Sequence, residues 1–130
     1  MTTTLKLDHV TLLVTSLERS MPYYDRLLPL LGLRKLRDHV WTDGTGFHFQ
    51  FQQADPAARP YERHGCGMNH LGFAAESRAR VHAIRASMQA AGFPVPDIQA
   101  LDGATALFMK DPDGIRFEIT HYPPGSPVVD

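Results

Sequence analysis

The 130-residue sequence predicts an α+β domain in which one β-α-β-β unit occurs twice. Three observations predict it. Short segments with apolar residues at alternate positions recur along the chain. Two segments with helical spacing and N-cap residues lie between them. The second half also repeats the first half's order of histidine, glycine and Asp-Gly. Apolar residues make up 43% and charged residues 21% of the chain, the balance of a sequence that folds.

In the first half, residues 5–14 (LKLDHVTLLV) are rich in β-branched and apolar residues and read as a strand. Thr15-Ser16-Leu17-Glu18 has the form of a capping box and starts a helix. Leu17, Tyr24, Leu27, Leu28 and Leu31 follow at helical spacing, with Pro22 an early kink or delayed start, and Pro29 and Gly32 closing the helix. Residues 35–42 and 47–52 read as two strands joined through Asp43-Gly44-Thr45-Gly46. The stretch 53–67 holds Pro56, Pro60, Gly65 and Gly67 and reads as a linker.

The second half starts again with a strand at 68–75. Ser77 caps a helix whose Val81, Ile84, Met88 and Ala91 share a face, and Gly92, Pro94 and Pro96 end it. Residues 104–110 and 115–121 are strands around the turn Asp111-Pro112-Asp113-Gly114. The tail from Pro123 is rich in Pro and Gly and reads as irregular. There is room for one more short strand in each half. The expected layout is one domain over 1–130, with module 1 at about 5–53, a linker at about 54–67 and module 2 at about 68–122. His9 and His70 take matching places, with Gly32 and Gly92 following them by 23 and 22 residues. Asp43-Gly44 stands before His48 as Asp113-Gly114 stands before Glu118, which aligns His48 with Glu118.

Several functions are excluded or disfavoured. A formal charge of -1, with 13 Lys and Arg against 14 Asp and Glu, offers no field for a polyanion, so no nucleic-acid partner is expected. No apolar run approaches the ~18 residues of a membrane span, and the first residues lack the apolar core of a signal peptide. The lone Cys66 forms no intrachain disulfide and reads as a spectator. The expected location is cytoplasmic, without membrane partners.

Strand side chains alternate between faces. Phe47, Phe49 and Phe51 oppose His48, Gln50 and Gln52, and Ile115, Phe117 and Ile119 oppose Arg116, Glu118 and Thr120. His9 and His70 fall on the polar sides of their strands. Two or three imidazoles and one carboxylate suit a borderline divalent cation and leave coordination positions for water or substrate. Trp41, Phe108 and Met109 are candidates to line a pocket, and Arg116 to hold an anionic group.

Three segments carry a family resemblance. They are Leu7-Asp8-His9-Val10-Thr11-Leu12, Asn69-His70-Leu71-Gly72-Phe73 and Asp111-Pro112-Asp113-Gly114-Ile115-Arg116-Phe117-Glu118. With them the chain resembles the vicinal oxygen chelate superfamily, the fold of glyoxalases, bleomycin-resistance proteins and extradiol dioxygenases. The resemblance implies two βαβββ modules forming an open, cup-shaped mixed sheet with helices on its outer face. It implies metal ligation by His9, His70 and Glu118, with His48 or Gln50 as the fourth ligand. It also implies a catalytic role for Glu118, and Thr11 matches a substrate-contacting Thr of the fosfomycin-resistance enzymes.

The expected protein is therefore a metalloenzyme of lyase, isomerase or transferase type. Its cofactor would be Zn, Ni, Mn, Fe or Co, its substrate a small oxygenated molecule, and its assembly a homodimer. The alternative is an antibiotic-binding protein of the same fold without turnover.

Overall fold

A computed structural model describes residues 2–126. The chain forms two compact units, Met1–Ala58 and Arg59–Asp130. Residues 127–130 of the predicted irregular tail lie outside the described residues.

The first unit holds β1 (His9–Val14), α1 (Leu17–Leu30), β2 (Arg34–Arg37), β3 (Val40–Thr42) and β4 (His48–Gln53). Its sheet has the order β1-β4-β3-β2. The second unit holds β5 (Leu71–Ala74), α2 (Arg78–Ala90), β6 (Gln99–Leu101), β7 (Ala104–Lys110) and β8 (Arg116–His121), with the order β5-β8-β7-β6. Each unit is thus β-α-β-β-β, with a parallel pair at one edge (β1 with β4, β5 with β8) and antiparallel pairs beyond it.

The extra strand in each unit comes from a tight hairpin. Residues 35–42 are two strands rather than one, because the chain reverses at Asp38-His39, where His39 adopts a φ of 66°. The same reversal in the second unit uses Asp102, φ 50°, followed by Gly103. Neither Gly nor Asn stands at 38–39, so the sequence carries no ordinary two-residue hairpin signal there.

The helices begin as hydrogen bonding requires. Ser16 accepts from the Arg19 N–H and Ser77 from the Arg80 N–H, both at 3.1 Å. The α1 cap is therefore Ser16, one residue beyond the Thr15 that a capping box ending on Glu18 implies. Gln53 Oε1 also accepts from the Leu17 N–H at 3.0 Å, tying the start of α1 to the end of β4. Both helices close alike: Leu33 N–H reaches back to the Leu28 carbonyl at 3.0 Å, and Phe93 N–H to the Met88 carbonyl at 3.1 Å. Gly32 and Gly92, at φ 89° and 90°, supply the left-handed step this closure needs. Pro22 lies within α1 and does not delay its start.

Each helix buries its apolar side on one sheet. Tyr24, Leu27 and Leu28 are fully buried, and the Tyr24 ring lies 4.2 Å from that of Phe51. Val81, Ile84 and Met88 are buried in the second unit, where Phe117 and Ile119 are also inaccessible. These apolar faces account for the strand patterns of Phe49 and Phe51, and of Ile115, Phe117 and Ile119, and leave the opposite faces polar.

One turn is built twice and sets where β4 and β8 begin. In the first unit Asp43 Oδ1 accepts from the N–H groups of Thr45 (2.7 Å) and Phe47 (3.0 Å). In the second, Asp111 Oδ1 accepts from those of Asp113 and Ile115, both at 2.8 Å. The Asp43 N–H pairs with the Phe47 carbonyl, as the Asp111 N–H pairs with that of Ile115. Asp43 therefore corresponds to Asp111, not Asp113.

Two outcomes follow from the paired aspartates. Asp111 is buried, so Asp111→Ala strands the buried Ile115 N–H and the half-buried Asp113 N–H and is expected to lower the unfolding free energy by about 1–3 kcal/mol in urea denaturation. Asp43 is exposed, and its carboxyl is held below the ordinary range by the Thr45 N–H first and the Thr45 hydroxyl second. A lowered folded value means this stabilisation is present above the ordinary aspartate pKa and lost as pH falls through the lowered one. In an NMR titration Asp43 is expected to titrate below an unperturbed aspartate, and Thr45→Val to raise it.

Candidate functional site

Each unit places two of the predicted metal-ligating residues together. In the first, His9 opens β1 and its Cα register partner on β4 is His48, while Thr11 is the partner of Gln50. In the second, His70 precedes β5, and Gly72 is the register partner of Glu118.

This register corrects the repeat alignment. Leu71 pairs with Phe117 and Gly72 with Glu118, as Val10 pairs with Phe49 and Thr11 with Gln50. The antiparallel ladders agree: Phe108 faces Glu118 as Val40 faces Gln50, and Lys110 faces Arg116 as Thr42 faces His48. Glu118 therefore corresponds to Gln50, and His48 to Arg116. The two-residue offset arises because the turn aspartate is Asp111.

Both histidines are anchored by the residue before them. His9 Nδ1–H donates to Asp8 Oδ2 at 2.7 Å, and His70 Nδ1–H to Asn69 Oδ1 at 2.6 Å. The Asn69 amide is itself oriented, since its Nδ2 donates to the Arg63 carbonyl at 3.1 Å. The Tyr61 hydroxyl lies within hydrogen-bond reach of the Met68 (2.9 Å) and Asn69 (2.7 Å) carbonyls. A histidine whose Nδ1 proton is held in this way offers its Nε2 lone pair outward, the arrangement of a metal-bound imidazole. Asp8 and Asn69 lie inside the segments that carry the family resemblance, yet residue type alone did not single them out.

The His70 lone pair meets a carboxylate. Nε2 of His70 lies 3.2 Å from Oε1 of Glu118, whose Oε2 accepts from the Thr120 hydroxyl at 2.6 Å. With the ring proton on Nδ1, both facing atoms are acceptors and repel unless a proton or a metal cation stands between them. Two ligand atoms each about 2.1 Å from one ion are about 3.0–3.4 Å apart at octahedral to tetrahedral angles, so the spacing fits a shared cation. Gly72 leaves the space beside Glu118 open, since a Cβ there would meet no atom within 4 Å.

The first unit offers a softer counterpart. Gln50 Nε2 donates to Thr11 Oγ1 at 2.6 Å, which leaves the Gln50 carbonyl oxygen as the donor atom at the place Glu118 holds in the second unit. Among the described residues, no group of three or more His, Cys, Asp or Glu side chains has metal-binding proximity. The ligand candidates occur as pairs, each within its own unit.

Three further candidates are placed as follows. Trp41 is corrected: it is 3% exposed and shares the Phe49 face of the sheet, opposite His48 and Gln50, so it belongs to the core. Its parity follows from β3 beginning after the 38–39 reversal. Met109, paired with Phe117, is likewise core, whereas Phe108 lies on the polar face with Glu118. Arg116 is on that face too, its guanidinium 4.2 Å over the Phe108 ring.

The comparisons with known proteins agree with the fold. Residues 6–119 match the sequence model of the Glyoxalase/Bleomycin resistance protein/Dioxygenase superfamily. The chain is 31% identical over 125 residues to YqjT, an uncharacterized protein of Bacillus subtilis, covering 87% of this chain and 96% of that one. A crystal structure from Bacillus halodurans, assigned provisionally as a glyoxalase, superposes with a TM-score of 0.77 at 27% identity, covering 89% of this chain and 95% of that one. A glyoxylase/bleomycin resistance protein/dioxygenase domain from Frankia sp. EAN1pec shares the fold at TM-score 0.75 and 22% identity, over 95% and 96% of the two chains. The chain belongs to the Glyoxalase/Bleomycin resistance protein/Dioxygenase superfamily.

The anchoring of His70 has a direct readout. In metal-free protein at alkaline pH, long-range 1H–15N spectra are expected to show His70 as the Nδ1–H tautomer. Asn69→Ala is expected to shift the population toward Nε2–H, because Glu118 then becomes the better acceptor.

Proposed function

We propose that this protein is a divalent-metal-dependent enzyme of the superfamily acting on a small oxygenated substrate, with His9, His70 and Glu118 as metal ligands. The fourth position is Gln50, by its correspondence with Glu118, with His48 beside it on the same face. The observation that carries the reading is the His70–Glu118 pair, two acceptor atoms 3.2 Å apart beside a ring fixed by Asn69. His9 lies in the first unit and His70 and Glu118 in the second, and a homodimer could supply these ligands from one chain or from two copies.

When bound, a Zn, Ni, Mn, Fe or Co ion would supply a Lewis acid for adjacent substrate oxygens. The chain's own residues do the rest. Asp8 and Asn69 fix the two rings, so no reorientation accompanies each turnover. Thr120 steadies Oε2 of Glu118, and Oε1, once displaced from the ion, can accept a proton from a substrate carbon and return it to a neighbouring atom. Thr11 accepts from Gln50, which leaves its hydroxyl proton for a substrate oxygen. Isomerisation and epimerisation share this proton step, whereas in thiol addition the proton taken up would be that of the thiol.

Protein purified without chelator is expected to hold one divalent ion per chain by elemental analysis. His70→Ala and Glu118→Gln are expected to abolish that binding, and Asn69→Ala to weaken it by about 10–100-fold. A wild-type protein that takes up no metal yet still binds small ligands contradicts the proposal and supports a sequestering protein. Mixed His9→Ala and His70→Ala variants distinguish the two arrangements. Partial recovery of metal binding means that a site draws its histidines from two copies, and no recovery means that both come from one chain.

A further inference from the structure

We infer that the second unit carries a two-arginine clamp, Arg63 and Arg116, for a carboxylate or phosphate group on the substrate handled at His70 and Glu118. The inference rests on the proposed function for the identity of the bound molecule as substrate, but the clamp itself stands on separate observations.

Among the described residues, neither arginine has a carboxylate partner. The Nε atoms of Arg63 and Arg116 are both buried without a hydrogen-bond acceptor. Glu118 lies on the same face as Arg116, and both of its oxygens are already engaged, by His70 Nε2 and the Thr120 hydroxyl. A buried N–H donor without an acceptor is costly, and costlier on a charged group. Two guanidinium groups left without acids in one unit are suited to an incoming anion at their remaining N–H groups.

Their surroundings suit that role. The Arg116 guanidinium lies 4.2 Å over the Phe108 ring, a cation–π contact that holds it on this face of the sheet. Arg63 stands near enough to repel it. Burial first and the Arg63 charge second lower the Arg116 pKa, against the opposing effects of Glu118 and Tyr61. Lys110, the register partner of Arg116 across β7 and β8, adds a third cation to this face.

The clamp is built into the histidine support. The Arg63 backbone carbonyl holds the Asn69 amide that holds His70, so one residue anchors the ring through its main chain and offers its guanidinium to a ligand. Arg116 lies two residues before Glu118 on β8, about 7 Å along the strand on the same face. A substrate with its reacting oxygens at Glu118 would place an anionic group at the arginines, so the substrate class is a short oxygenated carboxylate or phosphate ester.

The test uses full-length, metal-free, 15N-labelled protein. The Nε–H resonances of Arg63 and Arg116 are followed while sodium phosphate or, separately, sodium acetate is added at constant ionic strength. Saturable movement of both resonances is expected, with Arg63→Gln and Arg116→Gln each weakening the response by about tenfold. Arg116→Lys, which keeps the charge and protects against misfolding as an explanation, is expected to weaken it as well, because the forked geometry is lost. Saturation by phosphate alone supports the clamp and assigns a phosphate ester, and saturation by acetate alone supports it and assigns a carboxylate. Movement with neither anion, or movement unchanged in both Gln variants, overturns it. Since no metal is present, an intact anion response in a protein that fails to bind metal would sink the metal reading and leave the clamp standing.

Discussion

Two electron pairs that face each other need a positive charge between them, and the second unit is arranged around that need. Parallel pairing of β5 with β8 brings His70 and Glu118 together. Asn69 keeps the ring proton on the far side of the imidazole, and Thr120 occupies the other carboxylate oxygen. The Asp111 turn sets the first residue of β8 and therefore which side chains share the face of Glu118. Moving that turn by one residue would exchange the polar and apolar faces of the strand.

The first unit repeats these devices with milder chemistry. Asp8 takes the place of Asn69, Gln50 that of Glu118, His48 that of Arg116, and Thr11 that of Gly72. The repeated scaffold is the two Asx turns, the parallel edge pair and the anchored histidine. The side chains set on it differ, so the carboxylate and the unpaired cations lie in one unit and neutral oxygen donors in the other.

Much of this was legible in the residues. Alternating Phe47, Phe49 and Phe51 identified β4 and its polar face. Ser77, Gly32 and Gly92 marked helix ends through orphan backbone groups that any helix has to satisfy. The errors have physical causes. The hairpin at Asp38-His39 turns on a left-handed histidine without the Asn-Gly or Asp-Gly that usually marks such a turn, so two strands merged into one and the parity of Trp41 was left open. Two Asp-Gly-like signals lay within 111–114, and only the hydrogen bonds of Asp111 identify the one that corresponds to Asp43. Arg63 falls in a stretch without periodicity, where its approach to Arg116 depends on the path of the chain rather than on any local pattern.

The most direct test of the central claim is the position of a bound paramagnetic ion. Co(II) added to 15N- and 13C-labelled protein produces distance-dependent shifts that locate it. The account predicts that the largest effects fall on the His9 and His70 rings and on Glu118, with Gln50 or His48 next. Effects centred on the exposed His64 or His82, or spread over the surface without a common origin, would contradict it.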